Sequence, residues 1–190
     1  MPVHRSFNKN FFKKWSSEVA YTLGFLFADG NMIITKRKTH FISFYSADKS
    51  LIMLFKRLLN SEHKISKRSS PTGCNYRLQL GSKEVFNDLL RLGLFPNKTK
   101  RLKMPKVPFR YLADFVRGYF DGDGNVWSGL LNRKRLKPTR AINATFTSGC
   151  IDFLKNLKIA LSNFDIEGGS VYQMKGKSWG RLNYSTLDVL

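Results

Sequence analysis

Two short segments hold the residues best suited to chemistry: Leu23-Gly24-Phe25-Leu26-Phe27-Ala28-Asp29-Gly30-Asn31 and Arg117-Gly118-Tyr119-Phe120-Asp121-Gly122-Asp123-Gly124-Asn125. Each closes on Asp-Gly-Asn, so the chain carries two equivalent carboxylates, Asp29 and Asp123, 94 residues apart. Two carboxylates brought to one place repel one another unless a cation lies between them. All-oxygen ligation suits Mg²⁺, with water and substrate phosphate filling its remaining positions. The chemistry on offer is therefore a carboxylate metal centre. One Asp-Gly alone reads as a helix stop and a tight turn; two copies in the same setting read as a site. Asp121 has no counterpart, because Phe27 stands there in the first copy, so a role that needs both halves excludes it.

The elements that must position the pair are two apolar helices. Gly24 and Ala28, and likewise Gly118 and Gly122, lie at i and i+4 and form a notch on one helix face. Small residues at this spacing let two backbones approach closely, as in the GxxxG pairs of membrane helices. Leu23, Phe25, Leu26 and Phe27, with Val116, Tyr119 and Phe120, suit buried surroundings. Gly30 and Gly124 are expected at the left-handed position that ends a helix. Asp29 and Asp123 then fall in the last turn, where the dipole disfavours an anion and a cation is welcome.

These segments resemble the motif of the LAGLIDADG homing endonucleases, in the form with two motifs in one chain. Gly24, Ala28, Asp29 and Gly30 match the first motif; Gly118, Asp121, Gly122, Asp123 and Gly124 match the second. Departures fall at Thr22, Leu23, Phe27, Val116 and Arg117, none of them the final Asp. The resemblance implies that Asp29 and Asp123 bind Mg²⁺ or another divalent cation such as Mn²⁺, helped by the backbone carbonyls of Ala28 and Gly122. It also implies a basic residue near each bound phosphate. Lys98 in Pro96-Asn97-Lys98-Thr99 matches that loop, with Lys100 a neighbouring alternative. Its expected role is catalytic: stabilising developing charge or orienting water.

The repeat runs beyond the motifs. Phe44-Tyr45-Ser46 returns as Phe146-Thr147-Ser148, and the segment from Tyr76 to Ser82 returns as Gly180 to Thr186. Extra residues of the second half fit the basic turn Asn132 to Pro138. Periodicity predicts strands at 32–35, 40–45, 64–67 and 76–80, and helices at 49–59 and 83–92. The second half predicts strands at 125–131, 142–146, 170–174 and 181–184 and a helix at 151–162. The fold class is thus α+β, in two pseudo-symmetric αββαββ(α) halves, 1–100 and 101–190. The motif helices are expected at the centre and the antiparallel sheets in a saddle over DNA. The second half reaches Leu187-Asp188-Val189-Leu190 where the counterpart of the 83–92 helix would begin, so that closing helix is expected to be missing.

Composition points to the partner. Thirty-three Lys and Arg against thirteen Asp and Glu give a net charge of +20, which suits a polyanion. No apolar run is long enough to span a membrane, and no signal-type stretch follows Met1. An intracellular place, nucleoid-associated or organellar, is expected. Cys74 and Cys150 lack metal spacing and read as reduced structural thiols; His4, His40 and His63 also read as structural. On the strands Arg77, Gln79, Asn143, Thr145, Arg181 and Asn183 alternate with apolar residues, which puts them on one open sheet face. Such side chains suit base edges in a major groove. Lys36, Arg37, Lys38, Arg133, Lys134 and Arg135 at turn tips suit phosphates. The combined expectation is a monomeric endonuclease that breaks both strands of a long double-stranded DNA site, and the resemblance implies intron or gene homing as its setting. Two alternatives stay open: a maturase acting on intron RNA, and a catalytically silent DNA-binding regulator on the same scaffold.

Overall fold

The computed structural model describes residues 5–71, 73–131, 136–137 and 139–185. Along the chain run α1 (Ser17–Asp29), β1 (Gly30–Ile34), β2 (His40–Ser46), α2 (Lys49–Leu58), β3 (Ser66–Ser70), β4 (Gly73–Gly81) and α3 (Lys83–Arg91). They are followed by α4 (Leu112–Asp123), β5 (Gly124–Leu131), β6 (Thr139–Ser148), α5 (Ile151–Ser162), β7 (Ser170–Gln173) and β8 (Gly180–Tyr184). The described residues form an α+β architecture with two four-stranded antiparallel sheets, ordered β1-β2-β4-β3 and β5-β6-β8-β7. The same strand order in both sheets is the sequence repeat seen as topology.

The chain divides into two compact units: Met1–Lys98 with Pro105–Gly122, and Thr99–Met104 with Asp123–Leu190. The division is not linear along the chain, because α4 up to Gly122 groups with the first unit. In that unit Met32, Ile42, Phe44, Leu78 and Leu80 turn one sheet face inward, against Ile52, Phe55 and Leu59 of the α2 segment. Stacking of Phe55 on Phe44, with centroids 4.9 Å apart, joins helix to sheet. Ser82 and Asp48 cap α3 and α2, accepting from the backbone N–H of Val85 and of Ser50. In the second unit Phe153, Leu154, Leu157 and Leu161 of α5 are buried, as are Phe146, Leu182 and Tyr184 of the sheet. Among the described residues no helix is long and apolar enough to cross a membrane.

The helix stops differ from the sequence expectation. Gly30 has φ −82 and ψ 153, which is extended backbone, and Gly124 is not among the described glycines with positive φ. In both copies the strand begins at the glycine itself. Gly30 is required for a different reason: a Cβ there would stand 2.5 Å from both the Leu26 Cα and the Leu26 carbonyl oxygen. Close approach, and not a left-handed turn, excludes a side chain. The segments around Leu187, like Arg133, Lys134 and Arg135, lie outside the described residues.

Candidate functional site

The site is built on the pairing of α1 with α4 inside the first unit. A Cβ added at Gly24 would stand 2.0 Å from the Phe115 carbonyl oxygen, and one at Gly118 would stand 1.9 Å from that of Tyr21. At Gly122 it would meet the Ala28 methyl at 2.4 Å. The two backbones are therefore in direct contact along the notch formed by Gly24, Ala28, Gly118 and Gly122, as small residues at i and i+4 permit. Every residue of α1 from Val19 to Ala28 is buried. Asp29, the last, is exposed.

Asp29 thus stands at the wet end of a buried helix. Protein packed around its carboxyl removes water and holds its pKa above the ordinary carboxylate value, while the Lys98 charge pulls the other way. Contact with solvent limits that rise. Lys98 reaches the same helix end: its ammonium donates to the carbonyl oxygens of Phe27 at 2.7 Å and Ala28 at 2.6 Å. Those are last-turn carbonyls, which carry the negative end of the helix dipole. Asp29, Ala28 and Lys98 are so brought together in one unit. Asp123, half-buried, is the final residue of α4, and Gly122 precedes it.

The donor set fits a hard divalent cation. Asp29 supplies a carboxylate directly after two carbonyl oxygens that already hold a positive charge. Among the described residues no group of three or more His, Cys, Asp or Glu side chains could hold a metal ion. A cation at either Asp must complete its shell with backbone carbonyl, water and substrate oxygen, the habit of Mg²⁺. His40 packs edge-on to Phe86 at 4.8 Å, and His63 meets Phe7 and the Ser61 hydroxyl; His4 lies outside the described residues.

Asp121 has a partner that the sequence concealed. The Tyr21 hydroxyl donates to its Oδ2 at 2.7 Å, and the Arg117 guanidinium lies 4.8 Å from the Tyr21 ring centre. Burial, then the Asp121 bond, raises the Tyr21 pKa well above its ordinary value. The neighbouring cleft is lined by Ser17, Glu18, Leu54 and Leu58.

The open faces of the two sheets carry the residues expected to meet DNA. Lys36, Arg37 and Lys38 are exposed at the β1–β2 turn, where Lys38 adopts φ 58. Arg77 and Gln79 are half-exposed on β4, opposite in parity to buried Leu78 and Leu80. Asn143, Arg181 and Asn183 are half-exposed in the second sheet. Thr145 departs from its expectation of openness. It is 9% exposed, and its hydroxyl donates to Asn183 Oδ1 at 2.7 Å. Its short side chain is shaded between Asn125 and Asn183 on the adjoining strands.

The first sheet repeats this row. Ser43, 1% exposed, lies between Asn31 and Gln79, and Gln79 Nε2 donates to its Oγ at 3.2 Å. Sequence reasoning missed Ser43, Asn31 and Asn125 as members of these rows. The signal was present: both Asn residues complete the duplicated Asp-Gly-Asn, and Ser43 precedes Phe44-Tyr45-Ser46 as Thr145 precedes its counterpart Phe146-Thr147-Ser148.

Neither a protein-family model nor any curated protein matches the sequence. Solved structures do. The meganuclease I-SmaMI bound to uncleavable DNA with a TTCT central four matches 92% of this chain over 81% of its own, with 12% identity and a TM-score of 0.64. The I-SmaMI LAGLIDADG homing endonuclease bound to cleaved DNA matches 93% of the chain over 80% of its own, at 12% identity and TM-score 0.61. The LAGLIDADG homing endonuclease I-LtrWI bound to target DNA matches 95% over 80%, at 13% identity and TM-score 0.58. The fold of this chain is the one these endonucleases share.

Proposed function

We propose that this chain is a site-specific DNA endonuclease of the LAGLIDADG homing class, with Asp29 and Asp123 as its metal-binding carboxylates and double-stranded DNA as its substrate. The observation that carries the reading is Asp29: an exposed carboxylate closing a buried helix, next to two carbonyl oxygens that hold a cation, in a fold whose named relatives were solved on DNA. The +20 charge supports the same partner.

In this reading the Ala28 and Gly122 carbonyls join Asp29 and Asp123 in holding divalent ions. One relative was solved with calcium ions on its DNA target, and Mg²⁺ is the ion proposed here. Such an ion, when bound, polarises the phosphate and lowers the pKa of its water. The chain's own residues do the rest. Asp29 and Asp123 fix where charge is held, and Lys98 stabilises charge developing on the phosphate oxygens. Arg77, Gln79, Asn143, Arg181 and Asn183 meet base edges, with Thr145 and Ser43 holding the amides in place. Lys36, Arg37 and Lys38 meet phosphates, and Arg133, Lys134 and Arg135 are assigned to phosphates from sequence alone. The setting we assign is intron or gene homing.

The test is incubation with a randomised duplex-DNA library in Mg²⁺, with EDTA and an Asp29→Asn/Asp123→Asn protein as controls. Metal-dependent breaks at one recurrent sequence are expected. Specific capture of a duplex without any cleavage in Mg²⁺ or Mn²⁺ would favour a silent DNA-binding regulator instead.

A further inference from the structure

The last turn of α1 contains no basic residue and ends on Asp29, so the carbonyl-rich end of this buried helix is countered from elsewhere in the chain. The counter-charge comes from about 70 residues on, at 2.6 and 2.7 Å from two carbonyl oxygens, as short as charge-assisted hydrogen bonds are. The fold is shaped to deliver it. After α3, Gly93 turns at φ 91 and Leu94 is fully buried, its N–H donating to the Leu89 carbonyl at 2.9 Å. Asn97 then adopts φ 55, a left-handed conformation that asparagine tolerates better than most residues, directly before Lys98. A buried anchor, a glycine turn and a left-handed asparagine together aim one ammonium at one helix end.

We propose that Lys98 is the resident cation of the Asp29 centre: its ammonium holds the Ala28 carbonyl, and a divalent ion that takes this oxygen must first displace it. The inference rests on the metal reading given above. One carbonyl oxygen next to one carboxylate has no room for an ammonium and a divalent ion at contact distance, because the two cations repel. Displacement also sets an order of events. Two of the three donors of the Lys98 ammonium are spent on Phe27 and Ala28; loss of the Ala28 oxygen to an ion returns one of them for a substrate phosphate, so ion binding and phosphate engagement are coupled through one side chain. Lys98 thereby counters the charge of the helix end and, once displaced, serves the phosphate.

The experiment is Mn²⁺ binding to DNA-free protein, followed by the electron paramagnetic resonance of free Mn²⁺. An Asp123→Asn background isolates the Asp29 centre. Lys98→Gln, which can still donate to a carbonyl but carries no charge, is expected to bind Mn²⁺ more tightly by roughly tenfold, within the 5–150-fold range of ordinary site coupling. Lys98→Arg should keep the weaker affinity of the parent. In EDTA the Lys98→Gln melting temperature should fall, and Mn²⁺ should raise it by more than it raises the parent's. Equal or weaker Mn²⁺ binding by Lys98→Gln, with Asp29→Asn still abolishing the site, would overturn displacement and leave the metal reading standing. No Mn²⁺ binding in any form, with Asp29→Asn changing nothing, would overturn both.

Discussion

Two contacts between α1 and α4 occupy equivalent places in the repeat and have opposite character. Tyr21 and Phe115 correspond across the 94-residue offset, as do Phe27 and Asp121. One contact is therefore Phe27 against Phe115, rings edge to face with centroids 5.4 Å apart, exposed 1% and 0%. The other is Tyr21 to Asp121, a 2.7 Å hydrogen bond beside a cleft, with Asp121 exposed. The backbones at the two places are held by the same glycine contacts. The difference teaches that the notch alone fixes the helix approach, and that access to water then decides whether the flanking pair is apolar or polar. A repeat fused in one chain is free to diverge there, since each place is encoded separately.

The comparison predicts a ranking. Phe115→Ala should cost the most, about 3–5 kcal/mol, because a buried aromatic leaves a cavity among packed neighbours. Denaturant unfolding measures it. Gly118→Ala should cost about 3 kcal/mol, since its Cβ must push against the Tyr21 backbone and cannot be relieved by a rotamer change. Tyr21→Phe should cost only about 1 kcal/mol, the net value of one hydrogen bond whose exposed carboxylate partner can turn to water. Equal losses for Tyr21→Phe and Phe115→Ala would break the distinction between the two places.

The smallest effect sharpens it. The folded protein holds the Tyr21 pKa above its ordinary value of 10.0. The unfolded chain therefore loses this proton first, and the Tyr21 contribution is complete below about pH 10 and fades as pH rises beyond it. The alkaline decline of wild-type stability should be steeper than that of Tyr21→Phe. Parallel curves would contradict a raised Tyr21.

Much of the fold was legible because periodicity is a direct record of burial. The alternation of Arg77, Leu78, Gln79 and Leu80 gave a strand and its inward face, and the apolar spacing of Ile52 and Phe55 gave a helix. The helix ends were less legible. Asp-Gly is compatible both with a left-handed stop and with a chain that runs straight into a strand; the choice at Gly30 was made by its distance to Leu26, which no local pattern encodes. Asp121 was set aside for want of a counterpart, and its partner Tyr21 lies 100 residues away on the other helix. Parity puts Thr145 on the same face as Asn183, yet Thr145 is 9% exposed and bonded to Asn183 across the sheet, a pairing that no local pattern encodes. Asp29 and Asp123 stand out in the sequence by the duplication of Asp-Gly-Asn. The grip of Lys98 on Phe27 and Ala28 was beyond the sequence, because it depends on how the loop after α3 returns to α1.

The most direct measurement is strand-resolved cleavage of the library-selected DNA site by Asp29→Asn and Asp123→Asn, each beside a binding assay on the same duplex. Each variant should bind DNA nearly as the wild type does and lose double-strand cleavage by more than about 100-fold, since even outer-shell partners of a metal are worth 10–100-fold. Full double-strand cleavage by either variant would contradict a pair of metal-binding carboxylates at the ends of α1 and α4.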